Sequence, residues 1–295
     1  MGDLLLAIPN ISEGANRTAI AAVRAAYESQ GAVVLDETSD VDHGRSVHTL
    51  AGTQADLASA IANGWSVASQ QIDIRSSSGV HPHVGVLDVA PFVYVSPSLR
   101  GAACAAALTA AGDLGRRGAS VFLYGELGGG RTRAELRRGG AVGLSERVAD
   151  GVYLPDFGPS SFSLSTGAVL VAARPPLIAF NLVLASGTSL EQARQTAISL
   201  REGGSEGLPG VKALAFDLVS HGSVQLSFNI ERPEQTGIDR VVEAVRERHK
   251  VETGELIGLA LRRYIDAIPS DLEMLDFDPD RKSVEGSLRF NGIST

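Results

Sequence analysis

An apolar run, a helical periodicity, two more apolar runs, a second helical periodicity and another apolar run follow one another between Leu4 and Val95. That order leaves few folds open. Residues 4–8 form a strand closed by the turn residues Pro9 and Asn10. Asn16 stands where a helix N-cap stands, and Ile20, Val23, Ala26 and Tyr27 recur at helical spacing up to Gly31. Residues 32–35 and 46–51 read as strands, Thr53 with Asp56 as the cap of a helix through Ile74, and residues 84–95 as a valine-rich strand. The result, β-α-β-β-α-β, is the split unit of ferredoxin-like sheets. A helix over residues 98–116 and a strand over 121–124 extend it.

A similar order follows Pro175-Pro176. Residues 177–184 read as a strand, Thr188 with Glu191 as the cap of a helix ending near Gly203, and residues 211–219 and 223–230 as a hairpin around His221-Gly222. Residues 235–250 have helical periodicity and 251–259 read as a last strand. The expectation is an α+β (α/β) protein of two ferredoxin-like βαββαβ subdomains, residues 1–174 and 175–295, alike in topology but not in residues. Residues 125–167 are glycine-rich and read as mostly irregular, a connection long enough to be functional.

Composition narrows the function. With 34 acidic against 26 basic side chains the formal charge is −8, which argues against binding nucleic acid or an anionic membrane through bulk charge. The single cysteine, Cys104, excludes a disulfide framework and a multi-cysteine zinc site. Residues 168–185 are the most apolar stretch, but Arg174, Pro175, Pro176 and Asn181 break it into two strands rather than a membrane span. No basic, apolar leader is read at the start. A cytoplasmic protein acting through particular sites is expected.

Three segments carry polar groups that could do chemistry. Residues 78–85, Ser-Gly-Val-His-Pro-His-Val-Gly, stand before an apolar strand, and Pro82 biases His81 toward an extended backbone. His81 is a candidate proton carrier, with a backbone-bonded structural histidine as the alternative. His81 and His83 could present two ligands, but no third partner motif accompanies them, so no metal is expected. Residues 36–45 gather Asp36, Glu37, Asp40, Asp42, His43 and Arg45 between strands. EF-hand spacing fails there, because Val41 and Val47 fill the glycine and glutamate positions. Glu37 and Ser39 read as a solvated turn, while one carboxylate could orient His81 and Arg45 could grip an anionic substrate. Residues 156–167 offer backbone N–H groups, hydroxyls and an aromatic face, suited to a flat heteroaromatic ligand or to a plain connection. Arg131, Arg133, Arg137 and Arg138 form a basic run, either a solvated face or a lure for a polyanionic tail.

Several ordered blocks together resemble a known family. Residues 8–14 (Ile-Pro-Asn-Ile-Ser-Glu-Gly), 79–92 (Gly-Val-His-Pro-His-Val-Gly-Val-Leu-Asp-Val-Ala-Pro-Phe), 124–126 (Tyr-Gly-Glu) and 156–162 (Asp-Phe-Gly-Pro-Ser-Ser-Phe) resemble glutamate formiminotransferases. These include the transferase half of formiminotransferase-cyclodeaminase. Residues 177–181 and 200–202 continue the match, which runs to at least Gly258. The chain ends before any cyclodeaminase domain, so a stand-alone transferase is expected.

The resemblance implies two ferredoxin-like subdomains, a homodimer, and tetrahydrofolate held in a groove as co-substrate, with no tightly bound cofactor. It implies transfer of the formimino group of N-formimino-L-glutamate to N5 of tetrahydrofolate, a one-carbon step of histidine degradation. It puts the catalytic histidine on His81 and the folate-contacting segment on Gly158, Pro159, Ser160, Ser161, Phe162, Ser163, Leu164, Ser165, Thr166 and Gly167. Four positions depart from the family pattern. Val80 and His83 stand where many members have Glu and Arg, and Thr166 stands where a Trp is common. The supporting carboxylate of animal enzymes aligns with Thr38, so Asp36, Asp40 or Asp42 would replace it. Rival readings are another folate one-carbon enzyme, such as an ATP-dependent 5-formyltetrahydrofolate cyclo-ligase, and a non-catalytic folate-binding protein.

Overall fold

The computed structural model describes residues 4–76, 79–218 and 222–293. Ser78 of the first candidate segment and the His221 turn lie outside the described residues. The chain divides into two compact units, the first ending at Pro175 and the second beginning at Pro176.

In the first unit the elements are β1 (Leu5–Ala7), β2 (Asn10–Ile11), α1 (Arg17–Glu28), β3 (Val33–Asp40), β4 (Arg45–Gly52), α2 (Gln54–Gln71), β5 (Leu87–Val93), α3 (Arg100–Arg116), β6 (Val121–Leu123), α4 (Arg133–Arg137), α5 (Gly140–Ala149) and β7 (Val169–Arg174). β1 and β2 are two pieces of one position, since both pair with β4 on one side and β5 on the other. Pro9, which lacks an N–H, stands at the break between them. The sheet runs β3, β4, β1/β2, β5, β7, β6, antiparallel as far as β5 and parallel from there on.

The helices form where local signals call for them. The Asn16 side chain accepts the Ala19 N–H, and Ile20, Val23 and Tyr27 turn inward from α1. Thr53 and Asp56 close a capping box at the start of α2. α2 ends at Gln71, short of Ile74, which instead opens a separate 3-10 turn. α1, α2 and α3 cover one face of the sheet, where Tyr27, Ile61, Phe92 and Leu114 are buried.

The other face adds to the expectation. Residues 125–167 are mostly irregular, but α4 and α5 lie within them and bury Leu136, Leu144 and Val148 against Val89, Phe122 and Leu170. The overlooked signal was the Thr132–Glu135 capping box. With both faces covered, β5 is buried along its whole length.

In the second unit β8 (Ile178–Leu184), α6 (Leu190–Leu200), β9 (Val211–Leu218), β10 (Ser223–Ile230), α7 (Ile238–Arg246) and β11 (Val251–Ile257) are followed by α8 (Arg262–Ile265) and α9 (Val284–Phe290). Its antiparallel sheet runs β11, β8, β10, β9. The cap of α6 is Ser189 with Gln192 rather than Thr188 with Glu191. Phe180 and Phe228 anchor this core. No helix among the described residues is long and apolar enough to cross a membrane.

Candidate active site

The loop before β5 is held in place by close backbone approaches. The Val80 N–H donates to the Asp42 carbonyl at 2.9 Å. A Cβ on Gly79 would sit 2.3 Å from the His43 carbonyl oxygen, so no larger residue fits there. The Ser12 hydroxyl donates to the Gly85 carbonyl at 2.7 Å, and the Ser46 hydroxyl to the Glu13 carbonyl at 2.6 Å. Residues 10–14, the β3–β4 turn and the loop carrying His81 thereby share one end of the sheet. A small recess opens there, lined by Asn10, Ser12, His43, Arg45, His81, His83 and Asp88. It is shallow and too small to engulf a whole ligand, so it suits at most one end of a substrate.

His81 and Arg45 meet in this recess, with Nη1 of Arg45 2.6 Å from Nε2 of His81. A guanidinium only donates, so Nε2 is the unprotonated nitrogen and the ring is the neutral Nδ1–H tautomer. Burial, followed by the positive charges of Arg45 and then Arg137, holds His81 well below its ordinary range. The His43 ring faces it with centroids 6.2 Å apart. Arg45 itself falls to about 10, through burial and then through Arg137, and remains a cation at neutral pH. His83 turns back, its Nδ1 3.2 Å from the His81 carbonyl.

Asp88, on the solidly apolar β5, is buried. Its Oδ1 accepts the Val84 N–H at 2.8 Å, and its other oxygen pairs with Arg137 of α4. One carboxylate thus ties the His81 loop, β5 and α4 together.

Residues 158–167 lie beside this assembly. Gly85 and Gly167 form an antiparallel bridge, and a Cβ on either would come within 2.0 Å of a carbonyl oxygen. The Val86 N–H donates to the Thr166 carbonyl at 2.8 Å, and the Ser120 hydroxyl lies 2.7 Å from the Pro159 carbonyl. At the loop entrance Asp156 takes the Leu123 N–H at 2.7 Å and both of its oxygens face Arg131. Gly158, Pro159, Ser160 and Ser161 are exposed, while Phe162 is half-buried against the core that α4 and α5 cover. The segment is an exposed platform fixed at both ends.

The acidic stretch is less of a turn than its composition suggests. β3 continues to Asp40, so Glu37 and Ser39 are strand residues rather than a solvated turn. Glu37 sits 3.4 Å from the buried His48, which holds its carboxyl below the usual range, and the Ser39 hydroxyl lies 2.9 Å from that of Ser46. Asp40 accepts the His43 N–H at 2.8 Å, and Asp36 accepts from the Thr38 hydroxyl. In the basic run Arg131 and Arg137 are paired, and Arg133 lies over the Tyr124 ring. Among the described residues no group of three His, Cys, Asp or Glu is placed to hold a metal ion.

Comparison with known proteins agrees with the order of these segments. The formiminotransferase domain, N-terminal subdomain, matches residues 4–174. Glutamate formimidoyltransferase of Streptococcus pyogenes is 30% identical over 98% of this chain and 99% of its own length. The chain belongs to the formiminotransferase family. The glutamate formimidoyltransferase of Thermoplasma acidophilum is 32% identical, covering 93% of this chain and 94% of that one. Formimidoyltransferase-cyclodeaminase of Sus scrofa is 35% identical over 90% of this chain, which spans 52% of that relative. Three residues of this formiminotransferase-family site were not placed beside His81 by the sequence alone: His43, Asp88 and Arg137. Asp88 was open to detection as a charge inside an apolar strand, which needs a partner when buried. Arg137 carried no such signal, because 49 residues separate it from Asp88.

Proposed function

We propose that this protein transfers the formimino group of N-formimino-L-glutamate to N5 of tetrahydrofolate, with His81 as the proton shuttle. The observation that carries this reading is the neutral His81 in a cationic recess next to the fixed 158–167 platform. The names and near full-length matches of the Streptococcus pyogenes and Thermoplasma acidophilum relatives support it. N5 attacks the amidine carbon, and collapse of the tetrahedral adduct requires a proton on the departing glutamate nitrogen and loss of one from N5. A neutral imidazole between the two nitrogens serves both steps, typically contributing about 10²–10⁴-fold in rate. The platform holds the folate co-substrate, and positioning adds further rate.

The strand orders of the two sheets support reading both units as ferredoxin-like, with residues 1–174 and 175–295 as the N- and C-terminal formiminotransferase subdomains. In this reading the protein works as a cytoplasmic homodimer in histidine degradation. Light scattering that returned a monomer mass at micromolar concentration would remove the dimer. The decisive assay mixes pure protein, N-formimino-L-glutamate and tetrahydrofolate and follows product spectroscopically; absence of turnover sinks the assignment.

A further inference from the structure

The recess carries a contradiction for a working base. The Nε2 lone pair that must take a proton is the one that Arg45 already occupies at 2.6 Å. A base capped by a cation cannot accept a proton at that atom until the cation leaves. We propose that Arg45 is a substrate-operated cap, which a carboxylate of the acidic donor substrate draws off His81, so that the base is bared only in a loaded site. This rests on the formimidoyl-transfer reading and adds a positioning residue to it.

Three observations carry the idea. The contact is a charged donor on a neutral acceptor, and a guanidinium gains a stronger, bidentate partner in a carboxylate. The carboxylates already present are engaged, because Asp88 holds Arg137 and the Val84 N–H, and Asp40 holds the His43 N–H. The charged groups acting on Arg45 are Arg137, Arg133, Asp88 and Asp40, so three arginines including Arg45 face two carboxylates. Arg137 adds positive charge around His81. The recess therefore lacks a negative charge that a dicarboxylate end would bring. Moving Arg45 onto that anion both uncovers Nε2 and neutralises the charge that disfavours a proton on it.

The test reads His81 directly, without turnover. Protein labelled with ¹⁵N-histidine is titrated with acid, with and without saturating L-glutamate, the leaving group of the reaction; the His81 signal is assigned by its loss in His81→Gln. The free protein should show an Nδ1–H tautomer that resists protonation, and glutamate should shift the Nε2 resonance and raise the midpoint by at least one pH unit. Arg45→Gln should have the raised midpoint already and lose the response to glutamate. Arg45→Lys, which keeps the charge without the fork, should show a weakened response and serves if Arg45→Gln does not fold. A His81 signal unmoved by glutamate, an equal response to potassium chloride at matched ionic strength, or wild-type behaviour in the Arg45 variants overturns the cap. Turnover without a His81 response defeats the cap alone, whereas a response without turnover defeats the formimidoyl-transfer reading.

Discussion

In the first unit the charged groups that matter are buried and converge: the Asp88 and Arg137 side chains are 4% and 13% exposed. In the second unit the ion pairs lie open: Arg232 and Glu202 are 44% and 41% exposed, and Arg263 and Glu234 57% and 67%. Both units build a four-position sheet in the same order, with the first strand between the third and the last. What differs is that the first unit continues past β5 into β6, α4, α5 and β7, and this addition covers the second face of its sheet. The lesson is that the sheet supplies an edge and the added segment supplies Arg137 and the 158–167 platform.

The comparison can be broken most severely at His81. His81→Ala should lower kcat about 10²–10⁴-fold while the protein stays folded. If the imidazole were structural, removal would instead cost about 1–3 kcal/mol and leave turnover per folded molecule intact, so kcat and Tm are measured on one variant. Next comes Asp88→Ala, which strands Arg137 and the Val84 N–H; breaking a buried pair in this way should cost about 3–5 kcal/mol in urea unfolding. A loss below about 1 kcal/mol would make this pair no different from those of the second unit.

A smaller effect depends on pH. His81 stays neutral in the fold, whereas in the unfolded chain it takes a proton below about pH 6.5. The unfolded state therefore binds more protons there, and stability should fall as pH drops through that window, by at most about 1.4 kcal/mol per pH unit for this group. Above it the contribution is constant. His249 of the second unit, 2.7 Å from the Thr196 hydroxyl, is also lowered by burial, so His81→Gln should remove only part of the slope. The smallest effect sharpens the contrast: Glu202→Gln, breaking exposed contacts with Arg232 and Lys212, should change stability by less than about 1 kcal/mol. His83→Ala belongs beside it as a functional control, expected to weaken substrate affinity more than it lowers kcat.

Much of the fold was legible because its signals are local. Asn16, the Thr53–Asp56 box and the proline pair at 175–176 act within a few residues, and the apolar runs mark the strands wherever the rest of the chain goes. The Thr132–Glu135 box was just as local, but glycine and arginine around it masked a short amphipathic pair of helices. Ser189 displaced Thr188 as a cap because two adjacent hydroxyl residues offer equal sequence signals and only the backbone geometry selects one.

By itself the sequence determined the order of strands and helices, the histidine at the entrance to β5 and the glycines that tolerate close backbone contact. Those are properties of a residue and its chain neighbours. Only the tertiary structure decided that Arg45 lies on His81 from 36 residues away, that Arg137 answers Asp88 across 49, and that residues 158–167 fasten to the same strand entrance. Burial and charge act through space, so the state of His81 was set by groups that no spacing in the sequence places beside it.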